Sequence, residues 1–358
     1  AGRPMPDAAA RWCSTRMRRR LPLLVVCALV TSSTACPTTS NDDGAEGEGE
    51  GEGEDAAVFD FPDPVVVNAR ALDPTSTVAF VGFATNNEAG NVPMAVADDI
   101  EGPWRLDGDA LPELPVWAEA DAGLTWAPAV LKRGDHYVLF FTARDLDSGF
   151  QCIGAATSTT LRGPYVDDTL DPIVCQVVAP EALCGSIDPS IFHDDADDEG
   201  DGGTDWLLWK SDENAPECQG DSRLWSQRLD DDEGTTVVGD RRLLLTHDAA
   251  WEAPLIEGPA LVAADDGALV LFYSANRWET DDYATGYARC PSPEGPCVKV
   301  TIDGPWLHSA RGPGGPEVVV DDVGARWLTF HAWTAAGGLE GGGVRMLDAQ
   351  PLDLEALP

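Results

Sequence analysis

The sequence predicts an all-β fold: a five-bladed β-propeller of four-stranded blades around a central funnel. Three observations carry this reading. Short motifs open apolar runs at nearly even steps. Asp63 in Pro62-Asp63-Pro64, Trp126 in Trp126-Ala127-Pro128, Asp188 in Ile187-Asp188-Pro189 and Glu257 in Ile256-Glu257-Gly258-Pro259 stand 63, 62 and 69 residues apart. A fifth candidate, Gly312-Pro313-Gly314-Gly315, begins 55 residues after Glu257. A fixed period is the mark of a repeat architecture. A second series, Gly102-Pro103, Gly163-Pro164 and Gly295-Pro296, places its glycines 61 and then 132 residues apart, about one unit and two units. Between the two series lie runs rich in Val, Leu, Phe, Tyr and Trp at 137–142, 206–209, 269–274 and 327–331. These are strand-forming compositions, and no segment keeps a helical period over four turns. The units are long for four strands, and loop insertions such as 194–204 account for the excess.

Each region has its own logic. Residues 1–36 are a leader. Met17-Arg18-Arg19-Arg20 is a basic start, 21–30 is an apolar stretch too short to span a bilayer, and Ser33-Thr34-Ala35 precedes Cys36. This is the form of a secretory signal. Cys36 directly after small residues resembles the lipidation site of a bacterial lipoprotein; plain cleavage after Ala35 is the other reading. Residues 37–57 are a Gly/Glu-rich segment without a core-forming side chain, expected to be a disordered, charge-extended tether. Residues 58–358 are left for the propeller. The protein is expected to be exported, as a cell-surface or outer-membrane lipoprotein or as an extracellular or periplasmic protein.

The chain carries a formal net charge of −39. Residues 58–358 hold 53 acids against 17 bases, with lysine only at Lys132, Lys210 and Lys299. Nucleic acid is excluded as a partner, because phosphate binding needs basic stripes. Contact with a membrane is expected only through a lipid on Cys36, and a monomer is expected. The acidic surface has two open readings, salty surroundings or the drift of a GC-rich genome.

Six of the nine cysteines lie in the body, an even number suited to an oxidising compartment. Cys290 and Cys297 bracket a tight loop and are expected to pair. Cys152 and Cys175 flank the region around Gly163-Pro164 and are paired next, which leaves Cys184 with Cys218. The sequence has no Cys-x-x-Cys and its histidines are scattered, so no zinc site is expected.

One acidic motif alone is a turn or a strand end, since Asp-Pro and Glu-Gly-Pro are common there. Three carboxylates at one phase of a repeat would converge, and paired carboxylates in a cleft are what glycosidic bond hydrolysis needs. Converging carboxylates also suit Ca²⁺, although these motifs lack the flexible Asp/Asn run of a calcium loop. The Asp-rich segment 194–205 has such a run, and it reads first as a solvated charged loop.

Together the motifs resemble glycoside hydrolase family 43. The resemblance rests on Asp63 in PDPVVV, WAPAV, Asp188 in SIDPSIF, Glu257 in LIEGPAL, and the runs CIGAATSTTLRGPY, LLWKSD, LVLFYSAN, YATGYARCPSPEGPC and GPGGPEVVVDD…WLTFHAW, from about 58 to about 348. It implies a five-bladed propeller, an inverting mechanism, and carbohydrate substrates containing arabinose or xylose. By the same resemblance Asp63 is the general base, Glu257 the general acid and Asp188 the residue that modulates the acid. Trp126 is expected to wall a sugar ring, with core packing as its alternative. The resemblance also implies a His in the fifth unit that supports a central water or metal ion such as calcium. Gly315 stands there, so no cofactor is expected, and His331 is expected to pack in the last strand. Two other readings remain: a non-catalytic glycan-binding propeller, and a fructoside-acting enzyme of a related five-bladed propeller.

Overall fold

The structure, a computed structural model, describes residues 59–120, 123–177, 183–195, 203–216, 218, 220–230 and 233–358. The leader, the tether and Cys36 lie outside the described residues. The body forms five antiparallel sheets in chain order. Blade 1 contains β1 (Val65–Asn68), β2 (Phe80–Phe83), β3 (Pro93–Ala97) and β4 (Arg105–Asp109). Blade 2 contains β5 (Trp126–Arg133), β6 (His136–Arg144) and β7 (Gln151–Ser158). Blade 3 contains β8 (Ser186–Asp194), β9 (Thr204–Ser211), β10 (Arg223–Leu229) and β11 (Val237–Thr246). Blade 4 contains β12 (Ile256–Ala263), β13 (Leu269–Ala275), β14 (Ala284–Cys290) and β15 (Val298–Lys299). Blade 5 contains β16 (Gly314–Val320), β17 (Arg326–Trp333) and β18 (Arg345–Pro351). The only helical segments among the described residues are Ala69–Leu72 and the 3₁₀ turn Ala250–Glu252.

The predicted strand runs fall on β6, β9, β13 and β17, the second strand of blades 2 to 5. Each is buried along most of its length, and β9 and β13 along all of it. A second strand is flanked within its sheet and covered on both faces by neighbouring blades, so its sequence reads apolar without alternation. Apolar clusters fill the five blade interfaces. Phe141 and Leu139 meet Phe83 and Met94 between blades 1 and 2; Trp209 and Leu207 meet Phe140 between blades 2 and 3. Leu208 and Leu224 meet Tyr273 between blades 3 and 4, Phe272 meets Phe330 between blades 4 and 5, and Val319 meets Phe80 between blades 5 and 1.

Two blades depart from the four-stranded expectation. In blade 2 the outer edge is supplied by isolated bridges, Thr157 to Val166 and Ile153 to Val174, rather than by a regular strand. In blade 5 the segment before β1 lies beside β18: the Phe61 N–H donates to the Arg345 carbonyl (2.7 Å), and the Arg345 N–H donates to Asp60 Oδ1 (2.7 Å). The start of the body thereby closes the ring onto its last blade. The second sequence series proves to be a set of cis Gly-Pro turns that follow the third strand in blades 1, 2 and 4.

All three expected disulfides are present: Cys152–Cys175, Cys184–Cys218 and Cys290–Cys297. The first pins the Val174 edge to β7. The second joins the segment before β8 to the loop after β9. The third spans the hairpin between β14 and β15. Chain-entropy arguments rank their worth by loop length. Replacing both cysteines of the 34-residue Cys184–Cys218 span should cost about 4 kcal/mol, and replacing those of the 7-residue Cys290–Cys297 span about 2.5 kcal/mol. Denaturant unfolding of the two double-Ser variants checks the order, and thiol titration of the unfolded, unreduced wild type should find none of these six cysteines free.

Candidate active site

The inner strands share one local device. Near its start each has a residue with left-handed backbone followed by proline: Asp63 (φ 49°), Ala127 (39°), Asp188 (55°), Gly258 (56°) and Gly315 (63°). In blades 2 to 5 the ladder shifts register at this point, as a β-bulge does. The true repeat is therefore Asp63, Ala127, Asp188, Gly258 and Gly315. Trp126 and Glu257 each stand one residue before the repeated position, and the fifth motif is Gly315-Pro316, not Gly312-Pro313. Left-handed backbone costs roughly 1–2 kcal/mol in a residue with a Cβ. The strain at Asp63, Ala127 and Asp188 is held by surrounding bonds.

Four of the five left-handed residues donate their N–H to a side chain of the preceding blade. The Ala127 N–H donates to Thr85 Oγ1 (2.9 Å), Gly258 to Asp188 Oδ2 (3.0 Å), Gly315 to Ser274 Oγ (2.8 Å) and Asp63 to His331 Nδ1 (3.0 Å). Thr85 also donates its hydroxyl to Asp63 Oδ2 (2.7 Å). Asp63 is thus held by the preceding blade through His331 and by its own blade through Thr85.

These bonds bring Asp63, Trp126, Asp188 and Glu257 to one cavity of about 520 Å³, which Lys210, Trp278, Tyr283, Glu317 and Arg345 also line. Trp126 is only partly buried and faces the cavity, so core packing is not its whole role. Glu257 is 8% exposed and both its oxygens are engaged: Tyr283 Oη donates to Oε1 (2.8 Å) and Lys210 Nζ lies 3.0 Å from Oε2. Lys210 is 1% exposed and also pairs with Asp212 (3.1 Å). Burial disfavours its charge, but Glu257, Asp212 and Asp188 outweigh burial and hold the ammonium charged, above the ordinary lysine range. Burial first, then the negative charge of Glu257, push Asp188 well above the usual carboxylate range; Lys210 offsets part of this. Tyr283 is raised by burial and by the same carboxylates, so its phenol keeps its proton and donates.

His331 does more than pack in β17. It is fully buried, stacks on Tyr283 (centroids 5.7 Å apart) and receives the Asp63 N–H. Accepting at Nδ1 places the proton of the neutral ring on Nε2, which has no hydrogen-bond partner. Burial keeps the ring neutral, with its pKa lowered to about 4. A protonated Nε2 donates and does not ligate. At Gly315 a Cβ would meet His331 Nδ1 at 3.0 Å and Asp63 Cα at 3.1 Å. Neither position supplies a cation ligand, so a directly ligated central ion does not fit this site. A group of His, Cys, Asp or Glu close enough to share a metal does occur at Asp145, Cys152 and Cys175, but both cysteines are disulfide-bonded.

Sequence reasoning named the three carboxylates and Trp126 and missed Lys210, Tyr283, Thr85 and the contact of His331. Lys210 carried a readable signal: one of three lysines in the body, set directly after the apolar run 206–209.

A family model described as glycosyl hydrolases family 43 matches residues 62–353. Among curated proteins, a probable arabinan endo-1,5-alpha-L-arabinosidase C of Neosartorya fischeri is 36% identical over 86 residues, 24% of this chain and 26% of the relative. Its counterpart in Aspergillus clavatus is 32% identical over 118 residues, 31% of this chain and 36% of the relative. The chain thus spans about a quarter to a third of the length of these relatives. Among solved structures, a thermostable family-43 glycoside hydrolase superposes with TM-score 0.68 at 24% identity, covering 83% of this chain and 90% of that one. An endo-arabinase from Bacteroides thetaiotaomicron superposes with TM-score 0.61 at 21% identity, covering 83% and 96%.

The crowding at Gly315 gives a test of the cross-blade bonds. Gly315→Ala should lower stability by about 1–3 kcal/mol, from left-handed backbone with a Cβ and from contact with His331 and Asp63. Thermal unfolding beside wild type should show a drop in Tm of about 2–6 °C.

Proposed function

The chain belongs to glycosyl hydrolases family 43, and on that premise we propose that it is an inverting glycosidase of arabinose- or xylose-containing polysaccharides or oligosaccharides. The observation that carries this reading is the meeting of Asp63, Asp188 and Glu257 in one cavity beside Trp126. Inversion needs one carboxylate to take a proton from water and one carboxylic acid to give a proton to the glycosidic oxygen from the opposite side. Asp63 is the base. The Thr85 hydroxyl occupies its Oδ2, and the His331 bond to its main chain fixes the strand. Glu257 is the acid, and Lys210, 3.0 Å from Oε2, stabilises the carboxylate left after proton transfer. Asp188 sits beside Glu257, and their repulsion in a buried site makes the pair retain one proton to higher pH. Trp126 walls one face of a sugar ring.

The names of the curated relatives favour 1,5-linked arabinan as the first substrate to try, beside arabinoxylan and the nitrophenyl arabinofuranoside and xyloside. Product anomers read by NMR report inversion. Release of fructose from fructosides, with retention, would instead favour the related propeller enzymes. Three disulfides support export to an oxidising compartment, where a lipid on Cys36 would hold the enzyme at a surface.

Asp63→Ala and Glu257→Ala should each lower hydrolysis of natural glycosides by roughly 10²–10⁴-fold, the worth of one positioned acid or base. An activated nitrophenyl leaving group should restore much of the activity of Glu257→Ala and none of that of Asp63→Ala. The opposite rescue would reverse the two roles. Asp188→Asn removes the charge that makes the pair hold its proton while Lys210 stays in place. The alkaline limb of its pH–rate profile should therefore move to lower pH. Cys36→Ser should release the enzyme into the medium, and intact-mass measurement of a wild type lacking lipid on Cys36 would exclude the anchor.

A further inference from the structure

Glu317 is a further carboxyl in the same cavity, and the mechanism above does not use it. It lies on β16, two residues past the left-handed Gly315. Its Oε2 accepts from Ser190 Oγ (3.3 Å) and its Oε1 from the N–H of Val318 (3.1 Å). Ser190 lies on β8, two residues past Asp188. The inner strands neighbour one another in the ring order β1, β5, β8, β12, β16 and back to β1. β8 and β16 are therefore not neighbours, and the Ser190–Glu317 bond crosses the channel, past β12. It lies one layer further along the strands than the three acids.

We propose that Glu317 is a positioning residue: hydrogen-bonded to Ser190 across the channel, its carboxyl closes the floor of the catalytic cavity in the place of a central ion. The bond ties the strand that bears Asp188 to the strand that backs Asp63, whose Cα faces Gly315. The groups on the surrounding elements do not offset a charge there. Asp63, Asp188 and Glu257 are acids on the approach to β1 and on β8 and β12. His331 on β17 is neutral and Tyr283 before β14 keeps its proton. Lys210 on β9 is bound to Glu257 and Asp212, and Arg345 on β18 lies over Trp278 and Trp333 and pairs with Asp60. Burial accordingly pushes the Glu317 carboxyl up to about 7, so the latch is neutral in acid and charged in base.

The sign follows from linkage. An unfolded glutamate ionises near 4.3, while the folded Glu317 holds its proton to about 7. The folded state binds more protons between these values, so wild type loses stability as pH rises through this window. Glu317→Gln keeps the shape and cannot ionise. Its Tm relative to wild type should climb between pH 4.5 and 7, by at least about 3 °C, and stay level above. Glu317→Ala should lower kcat by about 10-fold through displaced strands with KM little changed, while Glu317→Gln keeps most of the kcat. A flat Tm difference across pH, or an unchanged kcat in Glu317→Ala, overturns the latch. So does calcium chloride that raises the Tm of wild type and not of Glu317→Gln, because Glu317 would then be a cation ligand. The kcat arm rests on the glycosidase reading; the Tm and calcium arms do not. A wild type that cleaves no glycoside yet shows the Tm difference would refute that reading and leave the latch standing.

Discussion

The left-handed residue before proline at the head of each inner strand is the constraint on which the site depends. Strands are stable because every residue follows one pleat. Breaking the pleat costs a ladder bond and, at Asp63, Ala127 and Asp188, backbone strain. The break redirects the chain so that its N–H points at the neighbouring blade instead of its own sheet. Thr85, Asp188, Ser274 and His331 take up those donors. A buried N–H without an acceptor would cost more than such a bond contributes, so the four contacts fix blade against blade where the carboxylates meet. Apolar packing between the blades makes the propeller; these bonds make its funnel specific.

The same device explains a division of labour among the acids. Asp63 and Asp188 occupy the left-handed position itself and are bound through their carboxylates to Thr85 and to the N–H of Gly258. Glu257 stands one residue earlier, next to a glycine that takes the left-handed backbone. Its longer side chain reaches Lys210 and Tyr283. Local charge at Glu257 is set by the groups that line the cavity, Lys210 first among them, and not by the net charge of −39, most of which lies in solvent and is screened. A buried cation beside two buried carboxyls leaves the trio needing one proton to be neutral. That is the state a proton-donating site must start from.

Ring closure supplies the remaining order. The segment at Phe61 joins the edge of blade 5 and leads directly into Asp63. The bond that completes the propeller and the residue proposed as base are thus two residues apart. Arg345, whose carbonyl receives the Phe61 N–H, also stands over Trp278 and Trp333 at the rim of the cavity. Misclosure of the ring and damage to the site are physically linked.

Much of this was legible in the sequence. The phase of Asp63 and Asp188, the apolar second strands and the three cysteine pairs all follow from local chemistry, because proline, pleat and burial leave marks at fixed spacings along the chain. The one-residue offset at Trp126 and Glu257 and the misplaced fifth motif arose because a bulge adds a residue that spacing alone does not reveal; the prolines at 64, 128, 189, 259 and 316 record the true phase. What the tertiary structure alone decided is which side chains from other blades complete the site. Lys210, Tyr283, His331 and Ser190 lie tens to hundreds of residues from the groups they touch. Their meeting depends on blade packing and twist, which are distances between elements and have no period in the sequence.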